Sequence, residues 1–274
     1  YTEYGDLLDV SSLERMLAKI KPDEIYNIGA QSHVRISFDV PQFTVQTNAL
    51  GVLNLLEAYR YHCPKARFYQ ASSSEMFGRS VEEDGYQRET TKMEPTSPYG
   101  CAKVFGYNIV RHYRFAHNLF AVNGILFNHE SPRRGSNFVT NKVVKSAVRI
   151  KLGLQSELKL GNMDAYRDWG HAKDYVEAMW LMLQQKKPAD FVIGTGQKHS
   201  VRQFANTAFS IAGLNYKDYV KIDKKLFRPA EVTTLLANPK KAKKILKWKQ
   251  NIAFKNLVKE MVESDIKFVQ KSGY

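Results

Sequence analysis

Cysteine is almost missing from this sequence. Cys63 and Cys101 are the two present, too few for a disulfide framework and not spaced as zinc ligands, so a cytoplasmic, reducing compartment is expected and no metal site. Long apolar runs are also missing. None approaches the roughly 18 residues needed to span a bilayer, and no leader pattern opens the chain, so no membrane partner is expected. The 16 glycines nowhere fall into G-x-x-G-x-x-G, the turn that carries a dinucleotide pyrophosphate at a helix N-terminus. There is no helix-turn-helix, zinc or ribonucleoprotein signature either, so the formal charge of +14 comes without a nucleic-acid motif and no nucleic-acid partner is expected.

What is present is ordinary globular material. With 43% hydrophobic and 25% charged residues over 274 positions, disorder and collagen-like polymers are excluded, and one large domain or two unequal ones can be built. The basic excess, 41 against 27 acidic residues, leaves a nucleic acid and an anionic small substrate both open on composition alone. Six lysines fall within 240–249; they read as the solvated face of a helix.

Ser11 and Glu14 have the spacing of a capping box, with Ser11 as N-cap, opening a short helix that ends before Pro22. Residues 24–28 read as a buried strand, 43–61 as a helix, 67–71 as a strand, 98–118 as a helix and 121–127 as a strand. This alternation predicts an α/β protein with a doubly wound parallel sheet. The second half is less regular, with helices predicted at 139–152, 171–185, 201–212, 239–246 and 254–269 and short strands at 158–160, 191–194 and 220–222. It reads as a smaller α/β lobe: 1–130 for the main domain and 131–274 for the lobe, with about 171–200 returning to the main sheet.

Ligands of parallel α/β sheets bind at the carboxyl ends of the strands. Polar chemistry concentrates at three such places: Ser72–Glu75, Tyr99–Lys103 and Asn128–Gly135. All three are expected at one crevice. Tyr99 and Lys103 are spaced i,i+4 and share a helix face. An ammonium beside a phenol favours phenolate and lowers a pKa of ~10 toward that of a working base. A hydroxyl such as Ser73 can steady the same substrate oxygen.

The set Ser73, Tyr99 and Lys103 on alternating elements resembles the extended short-chain dehydrogenase/reductase family. The longer strings YQASSSEMFG, SPYGCAK, NGILFNHESPRRG, LGNMDAYRDWGHAKDYV, DFVIGTG, SVRQF and FRPAEV resemble, within it, the GDP-mannose 4,6-dehydratase family. The likeness runs from Tyr1 to about residue 265. It implies a Rossmann-like domain, NADP as cofactor, GDP-mannose as substrate and assembly as a homodimer or homotetramer. The stretches 43–61 and 98–118 would then pair into a four-helix bundle.

The resemblance also implies residue roles. Tyr99 would take the proton of the C4 hydroxyl, with Ser73 and Lys103 beside it. Glu75 would remove the C5 proton and protonate the departing C6 hydroxyl; this second acid/base distinguishes a dehydratase from an epimerase. Lys103 would also hold the nicotinamide ribose. Asp6 and Leu7 would lie at the adenine, and Ile28, Gly29, Ala30, Gln31 and Ser32 near the ribose and pyrophosphate. His129 and Arg134 would line the cofactor, and so would Phe43, which stands where the family usually has tyrosine. Ser73 stands where threonine is common; the hydroxyl is retained. Asn128, Lys142, Arg167, Arg228 and Glu231 would contact GDP-mannose, arginine forks suiting a diphosphate. Arg167 and Arg228 could instead form salt bridges.

Against the family pattern, the sequence enters at about the third strand, at Tyr4-Gly5-Asp6-Leu7. A partial sequence and a natural variant both account for this, the former better. The 274 residues alone are expected to bind NADP poorly and to be inactive. A different nucleotide-sugar dehydratase or an epimerase is the alternative activity.

Overall fold

The computed structural model describes residues 1–227 and 230–272, the side chain of Ser272 excepted; Arg228 lies outside them. In chain order the first elements are α1 (Val10–Ile20), β1 (Glu24–Asn27), α2 (Ile36–Asp39) and α3 (Pro41–Val45). A π-helical turn (Gln46–Leu50) leads into α4 (Gly51–His62), then β2 (Arg67–Ser73), a 3₁₀ turn (Ser74–Met76), α5 (Pro98–Ala116) and β3 (Ala121–Leu126). There follow β4 (Asn128–Glu130), α6 (Val139–Lys151), β5 (Leu158–Leu160), β6 (Tyr166–Arg167), β7 (Trp169–His171) and α7 (Ala172–Leu183). The last are β8 (Phe191–Ile193), β9 (His199–Ser200), α8 (Val201–Ile211), α9 (Tyr216–Tyr219), β10 (Val220–Ile222), α10 (Lys240–Ile245) and α11 (Phe254–Ser272). No helix among the described residues is long and apolar enough to cross a membrane.

The chain forms two compact units. The first takes 1–126, 176–193 and 238–248; the second takes 127–175, 194–237 and 249–274. Unit 1 is built on a four-stranded sheet of order β1-β2-β3-β8 with every neighbour parallel. Such strands are covered on both faces and need apolar residues in both phases. Phe68 and Ala121 point into a cluster with Leu13 and Leu17 of α1, Leu55, Leu56 and Tyr59 of α4, and Val110 of α5. Tyr69 and Val122, in the opposite phase, are fully buried as well.

Two helices of unit 1 begin differently from the sequence reading. Asp9, not Ser11, is the N-cap of α1: its carboxylate accepts from Ser12 N at 3.2 Å, and Ser11 Oγ donates to it at 2.7 Å. An ionised acceptor outcompetes a hydroxyl for the first amides. The helix predicted at 43–61 begins earlier, at Pro41, and runs on to His62 through the π turn, where Asn48 is buried.

Unit 2 packs α6, α8 and α11 around Val143, Ala147, Phe204, Ala208, Leu257 and Val258, with Trp169 buried beside them. Its sheets are two-stranded: β4 with β7 and β5 with β10 in parallel, β6 with β9 antiparallel. α8 opens with a capping box, in which Ser200 Oγ accepts from Gln203 N at 3.0 Å and Gln203 Oε1 accepts from Ser200 N at 2.8 Å. Asp168 ties three segments of the unit. Its carboxylate accepts from Thr195 N (2.8 Å), Thr195 Oγ1 (2.7 Å), Gly196 N (2.8 Å) and Ala237 N (3.3 Å). Asp168→Asn turns one acceptor oxygen into a donor facing backbone amides. The expected cost is about 2 kcal/mol of stability, read by urea unfolding; an unchanged midpoint would show the knot to be dispensable.

Candidate active site

In unit 1 the candidate catalytic side chains stand at the end of β2 and the start of α5. Ser73 is the last residue of β2, in extended conformation, and its hydroxyl oxygen accepts from Glu75 N at 3.2 Å, capping the 3₁₀ turn. Accepting leaves the hydroxyl hydrogen available to donate. Glu75 follows on that turn and is largely buried. α5 begins at Pro98, capped by Ser97, whose hydroxyl accepts from Gly100 N at 3.0 Å. A methyl group on Gly100 would come within 2.9 Å of the Glu75 carbonyl and 2.8 Å of Pro95. Glycine there lets the first turn of α5 lie directly on the Glu75 turn.

The i,i+4 expectation is met in the structure: Lys103 Nζ lies 5.7 Å from the centre of the Tyr99 ring. The ammonium donates to the Ala71 carbonyl at 2.9 Å. Burial lowers the Lys103 pKa from 10.5 to about 8, since a dry site penalises the charged form. Turnover that needs the ammonium is therefore expected to fall as pH rises through about 8, and a rate profile flat from pH 7 to 10 would contradict this.

The loop after β1 is pinned by a residue that reading the sequence passed over. Asn48 accepts from Gln31 N at 2.9 Å and donates to Gln31 O at 2.8 Å. Its signal was a polar residue amid apolar ones in a helical stretch. Leu7 packs on the same loop: a Cβ on Gly29 would lie 3.1 Å from Leu7 Cδ1. Asp6 accepts from Leu8 N at 2.8 Å. The structure thus brings Leu7, the chain neighbour of Asp6, beside Gly29 and places Ala30, Gln31 and Ser32 on the pinned loop. Ile28 is exposed, as is Phe43 on α3.

Unit 2 holds the remaining candidates. Asn128 and His129 lie on β4. His129 Nδ1 bonds to the Phe127 carbonyl at 2.8 Å, which places the ring hydrogen on Nδ1, and the ring stacks on Tyr175 at 4.8 Å. Burial lowers its pKa to about 4, so the imidazole is neutral at pH 7. Arg134 pairs with buried Glu130 at 3.0 Å and lies over the Phe138 ring at 3.5 Å. Lys142 Nζ donates to the Lys159 carbonyl at 2.8 Å. Arg167 is held by the Val232 carbonyl at 2.8 Å and by Glu231 at 3.2 Å. The salt bridge left open for Arg167 is thus present, and its partner is another of the predicted substrate residues.

A parallel sheet with a hydroxyl at the end of one strand, and a tyrosine and lysine one turn apart on the next helix, defines an enzyme of the extended short-chain dehydrogenase/reductase class. The structure of RMD from Pseudomonas aeruginosa complexed with NADPH shares this fold, with a TM-score of 0.88 at 23% identity over 97% of this chain and 88% of that one. The family model for GDP-mannose 4,6 dehydratase matches residues 1–261. GDP-mannose 4,6 dehydratase 2 of Arabidopsis thaliana is 52% identical over 98% of this chain and 72% of its own length. The human GDP-mannose 4,6 dehydratase is 49% identical over 97% of this chain and 76% of its own. The chain belongs to the GDP-mannose 4,6-dehydratase family.

Proposed function

We propose that the chain converts GDP-mannose into GDP-4-keto-6-deoxymannose and water, with NADP as its resident nicotinamide cofactor. The observation that carries this reading is 52% identity over 98% of the chain to a relative of that name, on a sequence that retains Ser73, Glu75, Tyr99 and Lys103 together. The residues present suit the ribose end of such a cofactor. Lys103 commits one of its three N–H donors to Ala71, and two remain for ribose hydroxyls. When bound, the nicotinamide supplies the exchange of a hydride, taken from C4 of the sugar and returned to C6.

The chain's own residues do the proton work. The Tyr99 oxygen accepts the C4-hydroxyl proton while Ser73 donates to the same substrate oxygen. A 4-keto group acidifies the C5 proton; Glu75 takes it and delivers a proton to the C6 hydroxyl, which leaves as water. Asp6, Leu7, Ile28, Gly29, Ala30, Gln31, Ser32, Phe43, His129 and Arg134 are assigned to the cofactor. Asn128, Lys142, Arg167, Arg228 and Glu231 are assigned to GDP-mannose, Arg167 and Glu231 as a pair. Assembly as a homodimer or homotetramer is part of the reading; exposed Leu50 and Tyr61 in 43–61, with Phe105 and Phe115 on α5, are the apolar side chains that helix pairing would cover.

The test is incubation with GDP-mannose and NADP, followed by assay for a 4-keto sugar. It is run on the chain alone and on the chain preceded by a relative's first two strands with the glycine-rich turn and helix that join them. GDP-mannose turnover by either form supports the reading, and preferential turnover of UDP-glucose or dTDP-glucose refutes it. The difference between the two forms measures what that segment contributes.

A further inference from the structure

Unit 1 buries a row of polar side chains under α5. Asn27, Gln70 and Asn123 occupy mutually paired positions on β1, β2 and β3, with exposures of 4%, 1% and 0%. Asn27 Nδ2 donates to Gln70 Oε1 at 2.9 Å. Asn123 Nδ2 donates at 2.9 Å to Asp190, which stands immediately before β8 and closes the row. The Asp190 carboxylate also accepts from Asn123 N at 3.2 Å and from the Tyr107 hydroxyl at 3.3 Å. Arg114 meets both of its oxygens, and Arg111 Nε lies at 3.7 Å. Tyr107, Arg111 and Arg114 follow one another at spacings of four and three on α5, so they form one helix face.

This arrangement does more than bury a helix. Apolar contact is non-directional, so an apolar row would hold α5 against the sheet without choosing its axial position. Charge-assisted bonds from Tyr107 and Arg114, two turns apart on the helix, to one carboxylate do choose it. The same row reaches the catalytic end. Asn123 Nδ2 donates to the Tyr107 carbonyl at 3.2 Å, and Ser72 Oγ, next to Ser73, donates to Asn123 Oδ1 at 3.1 Å. One turn before Tyr107 is Lys103, and one turn before that is Tyr99, about 12 Å along the axis from the lock.

We propose that Asp190 is a positioning residue: its carboxylate locks the second half of α5 to the sheet and thereby sets where Tyr99 and Lys103 stand. The proposal rests on the catalytic reading of α5 given above. A displacement of about 1 Å at a reacting group can cost up to ~100-fold in rate without weakening substrate binding. Asp190→Asn keeps the size and one acceptor oxygen while removing the charge that faces Arg114.

The expected result is a kcat lower by about tenfold or more with KM for GDP-mannose within about twofold. Amide hydrogen exchange at 99–107 should quicken while the central strands β2 and β3 keep their protection. Tyr107→Phe, which deletes a single hydroxyl contact, should show the same pattern on a smaller scale and serves if Asp190→Asn does not fold. An unchanged kcat below the variant's melting temperature, or exchange that rises uniformly across unit 1, would overturn the proposal by reducing the lock to general stability. The exchange measurement needs no substrate. Where the parent does not turn over GDP-mannose, the exchange pattern by itself decides the lock, and the functional reading is decided by the substrate test above.

Discussion

Replacing Lys103 by methionine is expected to make the chain more stable at pH 7 while removing its turnover. Lys103 is 4% exposed, and its pKa is lowered from 10.5 to about 8 by burial. A shift of that size corresponds to about 3 kcal/mol by which folding disfavours the ammonium. The bond to the Ala71 carbonyl offsets roughly 1 kcal/mol, so the variant should gain about 2 kcal/mol net. The sign follows from proton counting. Below pH 8 the folded chain carries the charge and the whole cost. Between about 8 and 10.5 the folded state releases a proton that the unfolded state keeps, so parent stability rises with pH and the gap to the variant narrows. Above 10.5 the lysine is neutral in both states and the cost is gone. Urea unfolding at pH 7 and at 9.5 measures this; a variant less stable than the parent at pH 7, or a gap that widens with pH, would contradict it. Loss of turnover in a stabilised protein would mark Lys103 as kept for function.

Glu75→Gln is expected to lower net formation of the 4-keto product by about three orders of magnitude, roughly 4 kcal/mol of barrier. An amide can neither take the C5 proton nor deliver one to the leaving hydroxyl. The C4 oxidation needs only Tyr99, Ser73 and Lys103, so in a single turnover the reduced-nicotinamide absorbance should appear and persist. Tyr99→Phe should abolish that absorbance too. The two variants together separate the steps: reduced cofactor that accumulates in Tyr99→Phe, or product formed at the parent rate by Glu75→Gln, would reverse the assignment of the two groups.

How far the sequence could be read differs from one part to another. Strands β2 and β3 were evident because a parallel strand buried on both faces reads as an apolar run, as in 121–127; the strand read as buried at 24–28 is so on one face only, with Tyr26 and Ile28 exposed. Helices α6, α8 and α11 were evident from their apolar spacing. The two-residue strands β6 and β9 carry no periodicity and arise only where the chain meets itself. The start of α1 was misplaced because Asp9 and Ser11 both suit a cap, and only the folded geometry shows which oxygen reaches Ser12 N. The proposed catalytic set could be read off because Tyr99 and Lys103 are local to one helix and Ser73 and Glu75 to one strand end. Asn48 and Asp190 were not, since each acts on a partner distant in sequence.

By itself the sequence determined the α/β class and the family, and it singled out the groups proposed to react, because these rest on local spacing and on strings of residues that need no partner to be recognised. Tertiary structure alone decided which of those groups are dry. It lowered the pKa of Lys103 and of His129, joined Arg167 to Glu231, and gathered Tyr107, Arg114 and Asn123 onto Asp190. The reason is physical. Desolvation and charge pairing depend on what surrounds a group in space, and residues 67 or 76 positions apart in sequence (Asn123 and Arg114 with Asp190) become neighbours only when the sheet forms.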